Sequence, residues 1–106
     1  MADQIVIAIS TFPDPETANR IAEALVAGKL AACANLIPGV HSIYRWKEKI
    51  ETASEVVVFF KTTQDRVVSF EEKLRSLHPY EVPELICIKI DSGSPDYLRW
   101  VSDNCR

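Results

Sequence analysis

The densest group of chemically capable side chains lies in the segment His78-Pro79-Tyr80-Glu81-Val82-Pro83-Glu84. It holds an imidazole, a phenol and two carboxylates on a backbone that its prolines restrict. Imidazole and carboxylate together suit a borderline divalent cation such as copper or zinc, and we therefore predict His78 as a metal ligand. The alternative is structural, because a histidine in the last turn of a helix interacts favourably with the helix dipole. In that case Tyr80 only anchors the loop.

A second candidate metal ligand is Cys33, which lies in the apolar run Ala31-Ala32-Cys33-Ala34. A soft metal binds thiolate, but a free cysteine in such a run usually packs as a small hydrophobic residue. Cys87, between two isoleucines, is expected in the core. The count of three cysteines without a CxxC pair excludes a readable disulfide framework or zinc finger. Reduced thiols and a cytoplasmic location are the expectation.

Further polar and aromatic residues are predicted to line a ligand pocket; they are Trp46, Lys61, Tyr80, Glu81 and Glu84. Lys61 ends an apolar run together with two threonines, and an ammonium beside hydroxyls is suited to an anion or ligand pocket. The same hydroxyls could instead cap neighbouring helices. The two histidines fall in no GxSxG, HExxH or Walker pattern, so we predict no catalytic residues and no enzyme.

Composition narrows the class of protein. The chain has 106 residues, 47% of them hydrophobic, and a net charge of −3, which suits a single domain over residues 1–106 with its own core. We expect no cofactor to be required for folding. The absence of a basic excess disfavours a nucleic-acid partner. No apolar run approaches 18 residues, so no membrane span is expected, and the first residues do not read as a signal peptide.

Alternating apolar runs and helical periods predict the elements that position these residues. Strands are expected over residues 4–10, 29–46, 50–61 and 84–90, and helices over 14–28, 65–78 and from 94 onward. Asp14 and Asp65 are expected to cap helices, and Pro38-Gly39 to form a bulge. The order predicts an α+β, ferredoxin-like βαββαβ sandwich with a C-terminal helix. A weak repeat at an offset of 51 residues supports two βαβ halves.

The second and third strands predict an overlong hairpin. Residues 31–47 would span about 55 Å when extended at ~3.3 Å per residue, whereas a compact domain of this length is roughly 33 Å across. The hairpin tip nevertheless carries apolar and aromatic residues, namely Ile43, Tyr44, Trp46 and Ile50. We therefore predict that the hairpin packs on a neighbouring subunit. The alternative is a solvated hairpin.

Several motifs together resemble one known family over essentially the whole chain. They are Thr11-Phe12-Pro13-Asp14, Leu30-Ala31-Ala32-Cys33-Ala34-Asn35, Tyr44-Arg45-Trp46, Lys61-Thr62, the segment 78–84 described above, and Tyr97-Leu98-Arg99-Trp100. The chain is identified by these motifs as similar to the CutA family of divalent cation tolerance proteins. The resemblance implies a cytoplasmic homotrimer similar to nitrogen-regulatory PII proteins, and an association with copper and other divalent cations.

The metal pattern of that family carries over only in part. Its cysteine near the end of the first strand falls on Ser10, and its pair of histidines falls on Leu77 and His78. Only His78 keeps a ligand type. Three functions therefore stay open. The first is a trimer that binds copper or another divalent cation. The second is a PII-like signalling or small-ligand module in which metal is incidental, with clefts between subunits lined by Trp46, Lys61, His78, Tyr80 and Glu84. The third is a scaffold. The hetero-partner is unknown.

Overall fold

The computed structural model describes residues 3–106, which form one four-stranded sheet with helices. The elements are β1 (Ile5–Phe12), α1 (Pro15–Ala27), β2 (Cys33–Trp46), β3 (Lys49–Thr63), a 3₁₀ turn (Gln64–Arg66), α2 (Val67–Leu77), β4 (Ile86–Lys89) and α3 (Pro95–Asp103). The strand order is β2-β3-β1-β4 and every pairing is antiparallel. The predicted α+β fold with ferredoxin-like order is confirmed.

Helix starts show where local sequence signals suffice and where they do not. The Asp14 carboxylate accepts a hydrogen bond from the Thr17 N–H at 2.7 Å, and Pro15 occupies the first helical position, as predicted. The prediction for Asp65 is wrong. Its carboxylate instead accepts from the Thr63 hydroxyl at 2.5 Å. Asp65 lies inside the 3₁₀ turn, and α2 begins after that turn without a side-chain cap.

Backbone turns set the true limits of the hairpin. Lys29 has a φ of 59° and completes the turn after α1, so β2 begins at Cys33 rather than at residue 29. Gly39 has a φ of 73° at the register shift in β2, which confirms the predicted bulge. Lys47 and Glu48 have φ values of 50° and 68°, as a two-residue hairpin turn requires.

The two faces of the sheet differ in their cover. On one face α1 and α2 bury a core that includes Ala8, Phe12, Ile21, Leu25, Val56, Val58, Phe60, Phe70 and Leu74. The alternate residues of the same strands form what we term the open face: Ile7, Ile9, Ile37, Val57, Phe59, Ile86 and Ile88. Helix α3 packs near one end of the sheet, where Ile5, Ala32, Val101 and Cys105 form a second buried cluster. The apolar side chains of the open face are therefore only partly covered by this chain.

The edge of the sheet corrects one expectation. Cys87 is exposed rather than in the core, because β4 is an edge strand and its four residues are all exposed. Strand β4 is also shorter than predicted, since residues 84 and 85 precede it and residue 90 follows it.

The hairpin of β2 and β3 makes the molecule elongated. The principal extents are 47 × 25 × 22 Å and the radius of gyration is 14.3 Å, against about 13 Å for a compact chain of this length. Ile43 and Ile50 near the hairpin tip are strongly exposed, so the hairpin extends beyond the body as its length predicts. No helix within residues 3–106 is both long and apolar enough to cross a membrane.

Candidate functional site

A cavity of about 650 Å³ lies where the hairpin meets the loop that follows α2. We term it the Glu55 cleft and define it by its lining residues: Thr11, Ser42, Ile43, Tyr44, Trp46, Glu55, Pro79, Tyr80, Glu81, Val82 and Glu84. Four of the residues predicted to share a pocket, Trp46, Tyr80, Glu81 and Glu84, lie together here. Lys61, the fifth, does not.

Glu55 is the most deeply buried charged residue of the cleft. It is only 8% exposed, and its Oε2 accepts a hydrogen bond from the Tyr80 hydroxyl at 2.7 Å. Burial, and then this bond to Glu55, raises the pKa of Tyr80 well above its usual value. Within residues 3–106 the Glu55 carboxylate takes part in no ion pair. A buried charge normally has a charged partner or binds a metal. A cation bound beside Glu55 would therefore compensate its charge.

Sequence reasoning missed Glu55, although a signal for it exists. It directly precedes the apolar run Val56–Phe60, and strand alternation places it on the same face of β3 as Val57 and Phe59. A carboxylate that continues a half-buried apolar face is unusual. What the sequence does not show is that the loop carrying Tyr80 folds over it.

The other carboxylates make the cleft acidic. Burial, and then the nearby charge of Glu55, raises the pKa of Glu84. Glu81 adds a third carboxylate, and the lining contributed by the described residues contains no Lys or Arg. A bound cation would offset the repulsion between neighbouring carboxylates. The cleft is therefore suited to a positively charged ligand.

His78 lies behind the cleft with both ring nitrogens engaged. The Tyr80 N–H donates to Nδ1 at 3.1 Å, so Nε2 carries the proton and donates it to the Thr11 carbonyl at 2.8 Å. The ring stacks on Phe12 with centroids 4.7 Å apart, and burial lowers its pKa. Neither nitrogen offers a lone pair to a metal in this arrangement. The geometry favours the structural alternative over the predicted ligand role.

Cys33 and Lys61 lie together near the opposite end of the sheet. They are direct partners across β2 and β3. The Cys33 Sγ lies 3.6 Å from the Tyr97 hydroxyl oxygen, a contact that raises the pKa of Tyr97 to about 12. The Lys61 ammonium donates to the Asn35 side-chain carbonyl. Because Lys61 is six residues from Glu55 along β3, about 20 Å separates them, so Lys61 does not reach the cleft of its own chain.

No group of three His, Cys, Asp or Glu side chains is arranged to hold a metal within the part of the chain that the structure describes. The residues predicted as ligands, Cys33 and His78, lie apart and have polar contacts of their own. The same finding applies to the three glutamates of the Glu55 cleft, so a metal in the cleft would also need donors other than these carboxylates.

The family match and the most similar proteins carry the same family name. Residues 6–104 match the family described as CutA1 divalent ion tolerance protein. The chain is 48% identical over 93 residues to the protein CutA homolog of Xenopus laevis, covering 88% of this chain and 62% of that protein. It is 40% identical over 98 residues to the divalent-cation tolerance protein CutA of Thermus thermophilus, covering 92% and 95%. The chain thus spans less than two thirds of the Xenopus relative.

A solved structure shares the fold closely. The structure described as the periplasmic divalent cation tolerance protein CutA from Archaeoglobus fulgidus superposes with a TM-score of 0.93 at 31% identity, covering 96% of this chain and 99% of that one. The family match covers nearly all of the sequence, and the sheet order agrees with the fold that the motifs implied. The chain belongs to the CutA1 family of divalent ion tolerance proteins.

Proposed function

We propose that this protein acts in divalent-cation tolerance as a homotrimer, and that the Glu55 cleft binds the divalent cation. One observation carries the proposal. Glu55 is a buried carboxylate that receives one hydroxyl hydrogen bond and takes part in no ion pair within residues 3–106. A cation held there would remove the cost of burying an uncompensated charge.

The donor atoms of the cleft indicate which ions to test. Glu55 and Glu84 supply carboxylate oxygens, and Thr11 and Ser42 supply further oxygens in the lining. Such oxygen donors suit Mg²⁺, Mn²⁺ and Ca²⁺, whereas copper favours imidazole and sulfur. We therefore propose an oxygen-bound cation, with Mn²⁺ as the first probe, Zn²⁺ as a borderline ion, and Cu²⁺ as the ion that the family resemblance implies.

The open face supports association between copies. Helices α1 and α2 cover one side of the sheet, and the other side presents seven apolar side chains from all four strands. Exposed apolar patches of this kind commonly mark interfaces. The hairpin extends beyond the body and carries strongly exposed apolar side chains, Ile43 and Ile50, near its tip. The number of three copies rests on the family resemblance.

The metal proposal is tested by calorimetric titration of the chelator-free protein with Mn²⁺, Zn²⁺ and Cu²⁺. We expect saturable binding that is at least tenfold weaker in Glu55→Gln, because the amide keeps an oxygen acceptor for Tyr80 but removes the charge. Cys33→Ser is the control and should bind as the unaltered protein does. Loss of binding in Cys33→Ser with retention in Glu55→Gln would contradict the proposal.

The assembly is tested by sedimentation equilibrium of a matched pair of variants. Val57→Glu places a charge on the open face, whereas Val68→Glu places the same charge on α2, where Val68 is 69% exposed. We expect a trimer mass for the unaltered chain and Val68→Glu, and a smaller mass for Val57→Glu. A monomeric unaltered chain, or trimers of both variants, would contradict an interface at the open face.

We assign the protein no catalytic role, and we propose a cytoplasmic location. The location is supported by the expectation of reduced thiols for Cys33, Cys87 and Cys105, all of which are free in the structure. Cell fractionation checks it, with recovery in a periplasmic fraction as the contradicting result.

The second candidate function, a PII-like small-ligand module, is favoured by the size and the aromatic lining of the cleft.

A further inference from the structure

We infer that the Glu55 cleft takes an organic ammonium ion, that is, a positively charged nitrogen carried on an apolar group. This inference goes beyond the proposed metal site. It shares Glu55 with that site but does not require a metal to bind. Three independent features of the cleft carry it: its aromatic wall, its volume and its charge.

The aromatic wall is built by β2 and the loop after α2. Tyr44 and Trp46 occupy alternate positions of β2, so their side chains leave the strand on the same side. Tyr80 adds a third ring to the lining. The face of an aromatic ring attracts ammonium groups, and the Lys47 Nζ already lies 5.7 Å from the Trp46 ring centroid. The indole of Trp46 thus already takes part in a cation–π contact within the chain, which a bound ammonium would extend or replace.

The volume of the cleft exceeds what a metal ion needs. Six coordinated waters at about 30 Å³ each would occupy about 180 Å³, whereas the cavity measures about 650 Å³. Pockets for small organic ligands typically measure about 300–1,000 Å³. A hydrated ion would leave most of the aromatic wall without a contact, and a carbon-bearing cation would cover it.

The charge of the cleft selects the sign of the ligand. Glu55, Glu81 and Glu84 line it, and the described residues add no Lys or Arg to that lining. Phosphates and carboxylates would be repelled. An ammonium ion supplies a positive charge and N–H donors. The Glu55 carboxylate can accept these hydrogen bonds in addition to the one that it receives from the Tyr80 hydroxyl. The same ring and carboxylate combination disfavours neutral ligands, because Glu55 would stay uncompensated.

The test is calorimetric titration of the metal-free oligomer with n-butylammonium and tetramethylammonium, with n-butanol as the neutral counterpart and KCl as the ionic-strength control. We expect both ammonium ions to bind and butanol not to bind. An N-acetyl-lysine amide probe presents the same ammonium on a peptide. Tighter binding of that probe than of n-butylammonium would identify a protein lysine as the source, and equal or weaker binding a free amine.

Variants separate this inference from the metal site. Trp46→Leu should weaken ammonium binding by roughly 2- to 30-fold and leave Mn²⁺ binding unchanged, because an indole ring is no metal ligand. Trp100→Leu is the matched control, since Trp100 is similarly exposed on α3 and outside the cleft. Glu55→Gln should abolish ammonium binding. If Glu55→Gln disturbs the fold, Glu84→Gln replaces it as the test and should weaken ammonium binding. Equal binding of butanol, no ammonium binding, or equal effects of the two tryptophan variants would overturn the inference.

Discussion

Two buried polar residues lie close to Tyr80, and they differ in how their charges and hydrogen bonds are satisfied. His78 and Glu55 are each 8% exposed. Both nitrogens of His78 have backbone partners, whereas Glu55 has one hydroxyl donor and no ion pair within residues 3–106. Equal burial therefore does not mean an equal role. We propose that the satisfied residue stabilises the loop and that the carboxylate without a counter-ion binds the cation.

The largest effect expected from this comparison is a loss of folding stability when His78 is replaced. His78→Ala removes both hydrogen bonds of the ring, its stacking on Phe12 and its buried volume. We expect a loss of about 2–4 kcal/mol in the free energy of unfolding, measured by urea denaturation at a fixed protein concentration. Glu55→Gln should change it by less than about 1 kcal/mol. A larger loss in Glu55→Gln than in His78→Ala would reverse the comparison.

A smaller effect is expected for the residue that links the two. Tyr80→Phe keeps the ring but removes the hydroxyl that donates to Glu55. We expect a loss of about 1–3 kcal/mol in unfolding free energy, because the buried carboxylate then lacks its donor. The Tyr80→Phe loss should shrink in a Glu55→Leu background, where no carboxylate is left to be desolvated. Additive losses in the double variant would show that the hydroxyl does not act through Glu55.

The pH dependence of stability sharpens the role of His78. Burial lowers the pKa of His78, so near its ordinary pKa the unfolded chain binds more protons than the folded one. The stabilisation is present above pH 6.5 and is lost as pH falls through the lower folded pKa. We expect the unaltered protein to lose more stability than His78→Gln between pH 7.5 and pH 5. Parallel urea midpoints for the two proteins over that range would contradict a neutral, buried His78.

The smallest effect concerns buried hydroxyls, which carry no charge. The Ser10 Oγ is buried and lacks a hydrogen-bond partner within the described residues, whereas the Ser102 hydroxyl donates to Asp3. Ser10→Ala should leave stability unchanged or raise it by up to about 1 kcal/mol, and Ser102→Ala should lower it by about 1 kcal/mol. Thermal denaturation measures both. A clear loss in Ser10→Ala would contradict this expectation and indicate that the hydroxyl has a hydrogen-bond partner, such as a buried water.

Much of the fold could be predicted because its signals are local. The Asp14 cap and the bulge at Gly39 each depend on a few neighbouring residues, and the order of apolar runs suffices for the sheet topology. Asp65 was mispredicted because Thr63 competes for its carboxylate. The start of β2 was misplaced because Lys29, although not a glycine, adopts a positive φ, which its residue type does not indicate.

The candidate site could be predicted only in part, because its chemistry depends on contacts between distant segments. Trp46, Tyr80 and Glu84 were predicted as pocket residues, and they lie in one cleft. Glu55 was missed, since its burial depends on a tyrosine 25 residues away. The engagement of both His78 nitrogens likewise depends on the backbone of β1 and of the following loop. Side-chain type alone does not distinguish a free imidazole from one that is fully hydrogen-bonded.

The most direct test of the central claim, that Glu55 is the cation-binding group of this protein, is anomalous diffraction from a crystal soaked with Zn²⁺. We predict an anomalous peak in the cleft within about 2.0–2.2 Å of a Glu55 carboxylate oxygen, with His78 still hydrogen-bonded to the Thr11 carbonyl. A peak on a His78 ring nitrogen or on the Cys33 Sγ, with none beside Glu55, would contradict the claim.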